Sequence, residues 1–142
     1  MSTQIEITRK ITITDDQISA LLCCAFEGGS GYWCRIDKTV LTDDLKVSDF
    51  GEGGKMQKPG NYWHWSQLVP LVPGCHLVLG PYANEYDDDD HWILDRESLV
   101  IGLKVMAEKY TRHFDNFINE NEDAETCDVY LQCCLFGEVV YR

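Results

Sequence analysis

The stretch 95–118, DRESLVIGLKVMAEKYTRHFDNFI, carries the strongest helical signal in the chain. Its apolar residues recur at the three- and four-residue spacing of one helix face. They are Leu99, Leu103, Met106, Tyr110, Phe114 and Phe117. Asp95 is suited to cap the helix, because its carboxylate can accept hydrogen bonds from the first free backbone N–H groups. We therefore expect a long amphipathic helix after Asp95, with a kink near Thr111.

Two further helices are predicted on either side of this stretch. Thr14 and Gln17 fit a capping box, and the helix that follows, of about 13 residues, should end at Gly28 and Gly29. Near the C-terminus, Asp123 fits as the cap of a last helix that Gly137 ends. The apolar side of that last helix consists of Cys127, Tyr130, Leu131, Cys134 and Leu135.

Strand patterns occupy most of the rest. Residues 4–13 place isoleucines at positions of one parity, which is typical of a half-buried strand, and residues 30–40 are rich in aromatic and β-branched side chains. The apolar runs 75–79 and 91–94 indicate a hairpin with a long acidic tip. Residues 139–141 either add a closing strand or pack down. The order of elements predicts a single α+β domain over residues 1–142, in which an antiparallel sheet of four to five strands carries three helices on one face.

Charge and composition limit the partners. The 142 residues include 12 Lys and Arg against 24 Asp and Glu, a formal net charge of −12. Affinity for a phosphate backbone depends largely on cations, so we expect neither direct nucleic-acid binding nor attachment to an anionic membrane. The seven cysteines are an odd number, mostly inside apolar segments, which favours reduced thiols in a cytoplasmic protein.

No arrangement typical of catalysis occurs in the sequence. The glycines at 28–31 follow a helix and precede a strand, the reverse of a nucleophile elbow, and no phosphate-binding loop or zinc-ligand spacing is present. Cys127 lies beside Glu125 and Asp128, which oppose thiolate formation. We predict no catalytic residue, no metal and no cofactor, and an enzyme is the least favoured alternative.

Acidic residues are concentrated in two windows that together hold half of the acids. The first contains Glu85, Asp87, Asp88, Asp89, Asp90 and Asp95, and the second contains Asp115, Glu120, Glu122, Asp123, Glu125 and Asp128. Such blocks are usually solvated faces, but they can also steer a protein to a basic partner. The aromatic run 62–65, with Trp63 and Trp65, is either core or a contact surface.

Two segments resemble a family of small phage and prophage proteins. Residues 25–34, AFEGGSGYWC, are similar to the family's "EGGxxYW" turn, and residues 123–141 are similar to its "DAxTxDxxLQxxxFGExVY" C-terminus. The resemblance implies a phage origin and a host-cell cytoplasm, and no particular reaction.

Three functions follow as expectations. In the first, the chain binds and blocks a host protein with a basic surface, such as a defence or nucleic-acid-handling protein. The residues expected to bind that partner are Glu85, Asp87, Asp88, Asp89, Asp90, Trp63, Trp65, Glu122 and Glu125. In the second, the chain binds a small nucleotide-type ligand, in an oligomer, with Tyr32, Trp33 and Arg35 at the pocket. The third is the small enzyme of unknown reaction.

Overall fold

One helix of mostly apolar or small residues lies at the centre of the fold. In the computed structural model, which describes residues 3–56, 64–81 and 90–142, the helix Ala124–Phe136 buries nine consecutive residues, 126–134. Asp123 caps its start by accepting a hydrogen bond from Thr126 N at 2.8 Å. Gly137, in the left-handed conformation with φ 72°, ends it as predicted. Because the helix is covered on all sides, its polar side chains need partners inside the protein.

The protein is α+β, as the sequence predicted. The helices are α1 (Asp15–Cys24), α2 (Trp65–Leu68), α3 (Arg96–Lys109), α4 (Thr111–Ile118) and α5 (Ala124–Phe136). The strands β1 (Cys34–Val40), β2 (His76–Pro81) and β3 (Trp92–Leu94) form one antiparallel sheet in the order β1-β2-β3. Single helical turns lie at Ala25–Gly29, Val47–Asp49, Glu52–Gly54 and Val69–Leu71. Within the described ranges the sheet thus has three strands, not four to five, and there are five helices, not three.

The sheet and the helices share one core around α5. This helix packs against α1, α3, α4 and β3. From the sheet, Leu77, Leu79 and Leu94 are fully buried in that core. Ile93, the neighbour of Leu94, is 54% exposed, because successive side chains of a strand point to opposite faces. The predicted hairpin of 75–79 and 91–94 is confirmed by the pairing of β2 with β3, and its acidic tip lies outside the described residues.

The prediction of a strand over residues 4–13 is wrong. Ile5 is 80% and Ile7 is 87% exposed, and no hydrogen bond joins the backbone of residues 4–12 to another part of the chain that the structure describes. The alternating pattern is present, but the segment pairs with no strand among the described residues. The capping box that follows it is confirmed, because Thr14 Oγ1 accepts from Gln17 N at 3.3 Å and Gln17 Oε1 accepts from Thr14 N at 2.8 Å.

The predicted long helix of 95–118 is two helices. The break comes at Tyr110, whose φ of −128° and ψ of 56° are not helical, so the kink expected near Thr111 is confirmed one residue earlier. The Tyr110 hydroxyl accepts a hydrogen bond from Val139 N at 2.7 Å, which ties the break to the C-terminal segment. Residues 139–141 pack down on this side and form no strand. None of the helices in residues 3–56, 64–81 and 90–142 has the length and apolarity that a membrane span requires.

Candidate functional site

A buried carboxylate joins the turn after α1 to helix α5. Asp128, 7% exposed, accepts hydrogen bonds at Oδ1 from Ser30 Oγ (2.8 Å) and Trp33 Nε1 (2.7 Å). Its Oδ2 accepts from the Tyr32 hydroxyl (2.6 Å) and from Gln132 Nε2 (3.2 Å). A buried charge is tolerated when it is fully hydrogen-bonded, and here four donors surround it.

Gln132, one helical turn after Asp128, holds the C-terminal segment in place. Its Oε1 accepts from Val140 N and Tyr141 N, both at 2.8 Å, and its Nε2 donates to Tyr141 O at 3.0 Å. The Tyr141 ring then stacks on Trp33, with centroids 4.9 Å apart and planes 7° apart. The two sequence motifs that carry the family resemblance therefore form one structural unit.

Burial and the neighbouring carboxylate perturb Tyr32. Desolvation first, and the hydrogen bond to Asp128 second, raise the pKa of the Tyr32 hydroxyl from 10.0 to about 12. The hydroxyl therefore stays a neutral donor to Asp128 at physiological pH. Its ring is 53% exposed, so the residue offers an aromatic face to solvent while its hydroxyl is held in place.

Beside this unit lies an open cleft of about 690 Å³, a volume typical of small-ligand pockets. Its walls come from the turn after α1, the break between α3 and α4, the start of α5 and the C-terminal segment. The lining residues with rings or charges are Tyr32, Tyr110, Tyr141, His113, Glu125, Asp128 and Arg142. The cleft thus combines three tyrosine side chains with groups of both charges.

One pair of polar groups at the cleft has the spacing of a base and a hydroxyl. His113 Nδ1 lies 2.9 Å from Thr126 Oγ1, a spacing at which a base could activate a hydroxyl. Thr126, however, is fully buried, so no substrate can reach that oxygen. Glu125 Oε1 lies 3.8 Å from His113 Nε2 and 3.9 Å from Arg112 Nη2. Those distances are long for ion pairs, and the Glu125 side chain is 67% exposed, so it is accessible to a partner.

Acidic side chains are concentrated from α4 to the first turn of α5, and one of them, Glu125, lines the cleft. We use "acidic rim" for Asp115, Glu120, Glu122, Asp123 and Glu125, which stand against one arginine, Arg112, in residues 111–125. All except the half-buried Glu122 are exposed. The hydrogen bond from Thr126 N lowers the pKa of Asp123 below its usual 3.8. Glu122 Oε2 is buried without a hydrogen-bond partner in the part of the chain that the structure describes.

The structure places three residues that the sequence analysis singled out, one from the acidic windows and two from the predicted ligand pocket, in the interior or away from the cleft. Asp128, grouped with the surface acids, is buried and structural. Trp33, expected at a ligand pocket, is 4% exposed and belongs to the core. Arg35, expected at the same pocket, instead pairs with Asp37 (Nε to Oδ1, 2.6 Å) and donates to Pro81 O, away from the cleft.

The other predicted site residues are divided among several places. Tyr32 and Glu125 line the cleft, and Glu122 belongs to the rim beside it. Trp65 is half-buried at the start of α2, and Asp90 is exposed. The remaining predictions lie outside the described residues: Trp63, Glu85, Asp87, Asp88 and Asp89.

The cleft residues that sequence reasoning missed are Tyr110, His113, Tyr141 and Arg142. One signal was available, because Asp128 and Gln132 stand four residues apart on a helix whose other central positions are apolar or small. Polar residues at that spacing lie on one face, and inside a covered helix they must bind something. What they bind could not be read from the helix itself.

Five of the seven cysteines are buried, and Cys23 and Cys24 are partly buried. All seven are free, and burial raises the pKa of the Cys34 and Cys133 thiols from 9.0 to about 12. Burial also raises the pKa of Cys127, which opposes its use as a nucleophile. Among the described residues, no group of three or more His, Cys, Asp or Glu side chains could hold a metal ion.

Comparison with known proteins adds no further assignment. No protein-family model, curated protein or solved structure matches the chain. The argument for function therefore rests on the geometry of the cleft and its rim.

Proposed function

We propose that this chain is a non-enzymatic, phage-encoded protein that binds a basic surface of a host protein in the host cytoplasm and blocks it. The observation that carries the proposal is that Glu125, an exposed member of the acidic rim, lines a cleft that three tyrosines also line. The rim provides attraction at long range, in a chain of net charge −12. The cleft provides a place where a partner side chain can lose its water.

An arginine or lysine of the partner fits the chemistry of this cleft. A cation over the face of a tyrosine gains roughly 0.5–2 kcal/mol, depending on desolvation. Glu125 lies at the same edge, and its contacts with Arg112 and His113, at 3.9 and 3.8 Å, are weak enough to be exchanged for a partner's cation. The remaining exposed rim carboxylates would then set orientation and association rate more than final affinity.

A pull-down with matched charge variants tests the proposal. The rim variant combines Asp115→Asn, Glu120→Gln and Glu125→Gln. The control variant removes three exposed carboxylates elsewhere, with Glu52→Gln, Glu108→Gln and Glu138→Gln. We expect the wild type and the control to capture the same protein from a bacterial lysate, and the rim variant to lose it.

Salt dependence supplies the second criterion. Raising ionic strength from about 0.01 M to about 0.15 M shortens the Debye length from about 30 Å to about 8 Å, so capture should fall steeply. Equal capture by all three proteins, or capture that salt does not change, would contradict the proposal. A separate variant that neutralises Asp87, Asp88, Asp89 and Asp90 measures how much the first acidic window contributes to capture of the partner.

The cleft also favours a second candidate, the binding of a small nucleotide-type ligand. Its volume of about 690 Å³ suits such a ligand, and Tyr32, Tyr110 and Tyr141 offer rings on which a base could stack. Arg142, at the cleft wall, could meet a phosphate. The acidic rim argues against a polyanionic ligand, which is why this function comes second.

Thermal shift separates the two candidates. A ligand at 100 times its dissociation constant stabilises the folded state by about 2.7 kcal/mol, which a melting curve detects. If a nucleotide binds in the cleft, Arg142→Ala should reduce its shift, whereas Arg9→Ala, outside the cleft, should leave the shift unchanged. If no nucleotide moves the melting temperature, the small-ligand candidate is wrong.

A further inference from the structure

Two cysteine thiols meet where the end of α1 packs against the start of α5. Cys24 is the last residue of α1, and Cys127 lies in the first turn of α5. Burial first, and a side-chain hydrogen bond with Cys24 second, raise the pKa of the Cys127 thiol. The two sulfur atoms are therefore neighbours, although 102 residues separate them in the chain.

The backbone brings these two thiols together independently of their hydrogen bond. The position that a Cβ at Gly29 would occupy is 3.4 Å from the carbonyl oxygen of Cys24 and 2.7 Å from that of Ala124. Side chains of a helix lean towards its N-terminus, so the Cys127 side chain lies over the turn that contains Ala124. The end of α1 reaches the same place.

The two thiols differ in their access to solvent. Cys24 is partly buried, whereas Cys127 is 0% exposed, so a small oxidant reaches the sulfur of Cys24 and not that of Cys127. Cys23 is also partly buried, but burial and the Glu27 side chain raise its pKa, which opposes thiolate formation. An accessible thiol beside a second, resolving thiol is the arrangement of a reversible redox site.

We propose that Cys24 and Cys127 form a disulfide when the protein meets a hydroperoxide such as hydrogen peroxide. The Cys24 sulfur attacks one peroxide oxygen, the O–O bond breaks, and the products are a sulfenic acid on Cys24 and one water molecule. The Cys127 sulfur then attacks the Cys24 sulfur, the S–S bond forms, and the sulfenic hydroxyl leaves as water with the Cys127 proton. The two thiols lose two electrons, which reduce the peroxide to water.

This bond would link two walls of the cleft. Gly29, in the turn after α1, and Ala124, at the start of α5, both line it, and the bond would tie these elements together. It would also close a long loop, which constrains the unfolded chain and favours the folded one. The reaction uses none of the tyrosines or acids of the cleft, so its test is independent of the proposed function.

Peptide mapping after peroxide treatment tests the pair. The reduced full-length protein is treated with hydrogen peroxide, its free thiols are alkylated, and it is digested without a reductant. We expect a linked pair of peptides that contain Cys24 and Cys127, and an intact mass lower by two hydrogen atoms. Cys127→Ser should lose the linked pair and leave a sulfenic acid on Cys24 that dimedone traps. Cys23→Ser is the matched control and should form the bond as the wild type does.

Urea unfolding supplies a second criterion, which does not depend on how well the variants fold. The oxidised wild type should unfold at a higher urea concentration than the reduced wild type, and a thiol reductant should reverse the difference. Cys24→Ser, at the more accessible position, should show no such difference. The proposal is overturned if peroxide links Cys24 to another cysteine, if it leaves Cys24 and Cys127 unlinked in the wild type, or if the linked protein unfolds at a lower urea concentration.

Discussion

Replacing Asp128 by alanine should destabilise the protein more than any other single loss of a carboxylate in the described chain. The change removes the acceptor of four hydrogen bonds. Tyr32 is 53% exposed and can turn its hydroxyl to water, and Gln132 keeps Tyr141 O as an acceptor. Ser30 and Trp33, at 1% and 4% exposure, have no such alternative in the structure.

The magnitude follows from those two buried donors. An orphaned buried donor costs about 1–3 kcal/mol, so Asp128→Ala should lower the free energy of unfolding by roughly 2–6 kcal/mol. Domains of this kind have about 5–15 kcal/mol in total, so the loss is a large share. Asp128→Asn should cost less, because its carbonyl oxygen still accepts from Ser30 and Trp33, and only its amide group, which would face the donor Gln132 Nε2, loses an interaction.

Urea denaturation provides the measurement, with the slope m checked for constancy. Asp115→Ala is the matched control, since it removes an exposed carboxylate and makes the same change in charge. The reasoning is refuted if Asp128→Ala loses less than about 1 kcal/mol, or no more than the control. A double-mutant cycle with Trp33→Phe should show coupling of about 0.5–3 kcal/mol, because the second change removes one orphaned donor.

Two further predictions concern the same unit and the core. A Cβ at Gly29 would lie 2.7 Å from the backbone oxygen of Ala124, so Gly29→Ala should lower the free energy of unfolding in urea by about 1–3 kcal/mol. Gly31→Ala is the control and should lower it little, because the nearest atom to its Cβ would be 3.8 Å away. The pKa values of Cys34 and Cys133 are raised from 9.0 to about 12, so the unfolded state loses these protons first. The contribution of these thiols to the free energy of unfolding is therefore fully present below pH 9. It should fall by about 1.4 kcal/mol per pH unit and thiol as the pH rises from 9 towards 12. Melting curves that stay constant over that range would contradict this.

Local signals predicted the helices because the information for a helix is local. Thr14 and Gln17 cap α1 through side chains three residues apart, and Asp95 and Asp123 cap α3 and α5 in the same manner. Periodicity also identified Leu99 and Met106 as buried residues of α3, whereas α5 is buried on all sides and not on one side as predicted. The break at Tyr110 was expected only approximately, and the Tyr110 hydroxyl accepts a hydrogen bond from Val139, a contact far along the chain that local signals do not reveal.

Strand pairing was less predictable, because a strand needs a partner that its own sequence does not specify. The isoleucines of residues 4–13 alternate as well as those of any strand, yet the described chain offers them no neighbour. Part of the hairpin prediction succeeded because β2 and β3 are close in sequence and both are strongly apolar. The predicted number of strands was too high for this reason, because alternating segments were predicted to be strands without a known strand to pair with.

The acidic residues of the candidate site show the same limit of prediction from sequence. A list of acids does not separate Asp128, which holds the fold together, from Glu125, which faces solvent a few positions earlier on the same helix. Burial makes that distinction, and burial depends on the turn at Gly29 and the segment at Tyr141 arriving at the same place. The residues that define the two motifs serve mainly to build this buried unit. The proposed recognition of a partner is therefore assigned to exposed side chains near it, Asp115, Glu120 and Glu125, and changes there should alter binding without altering stability.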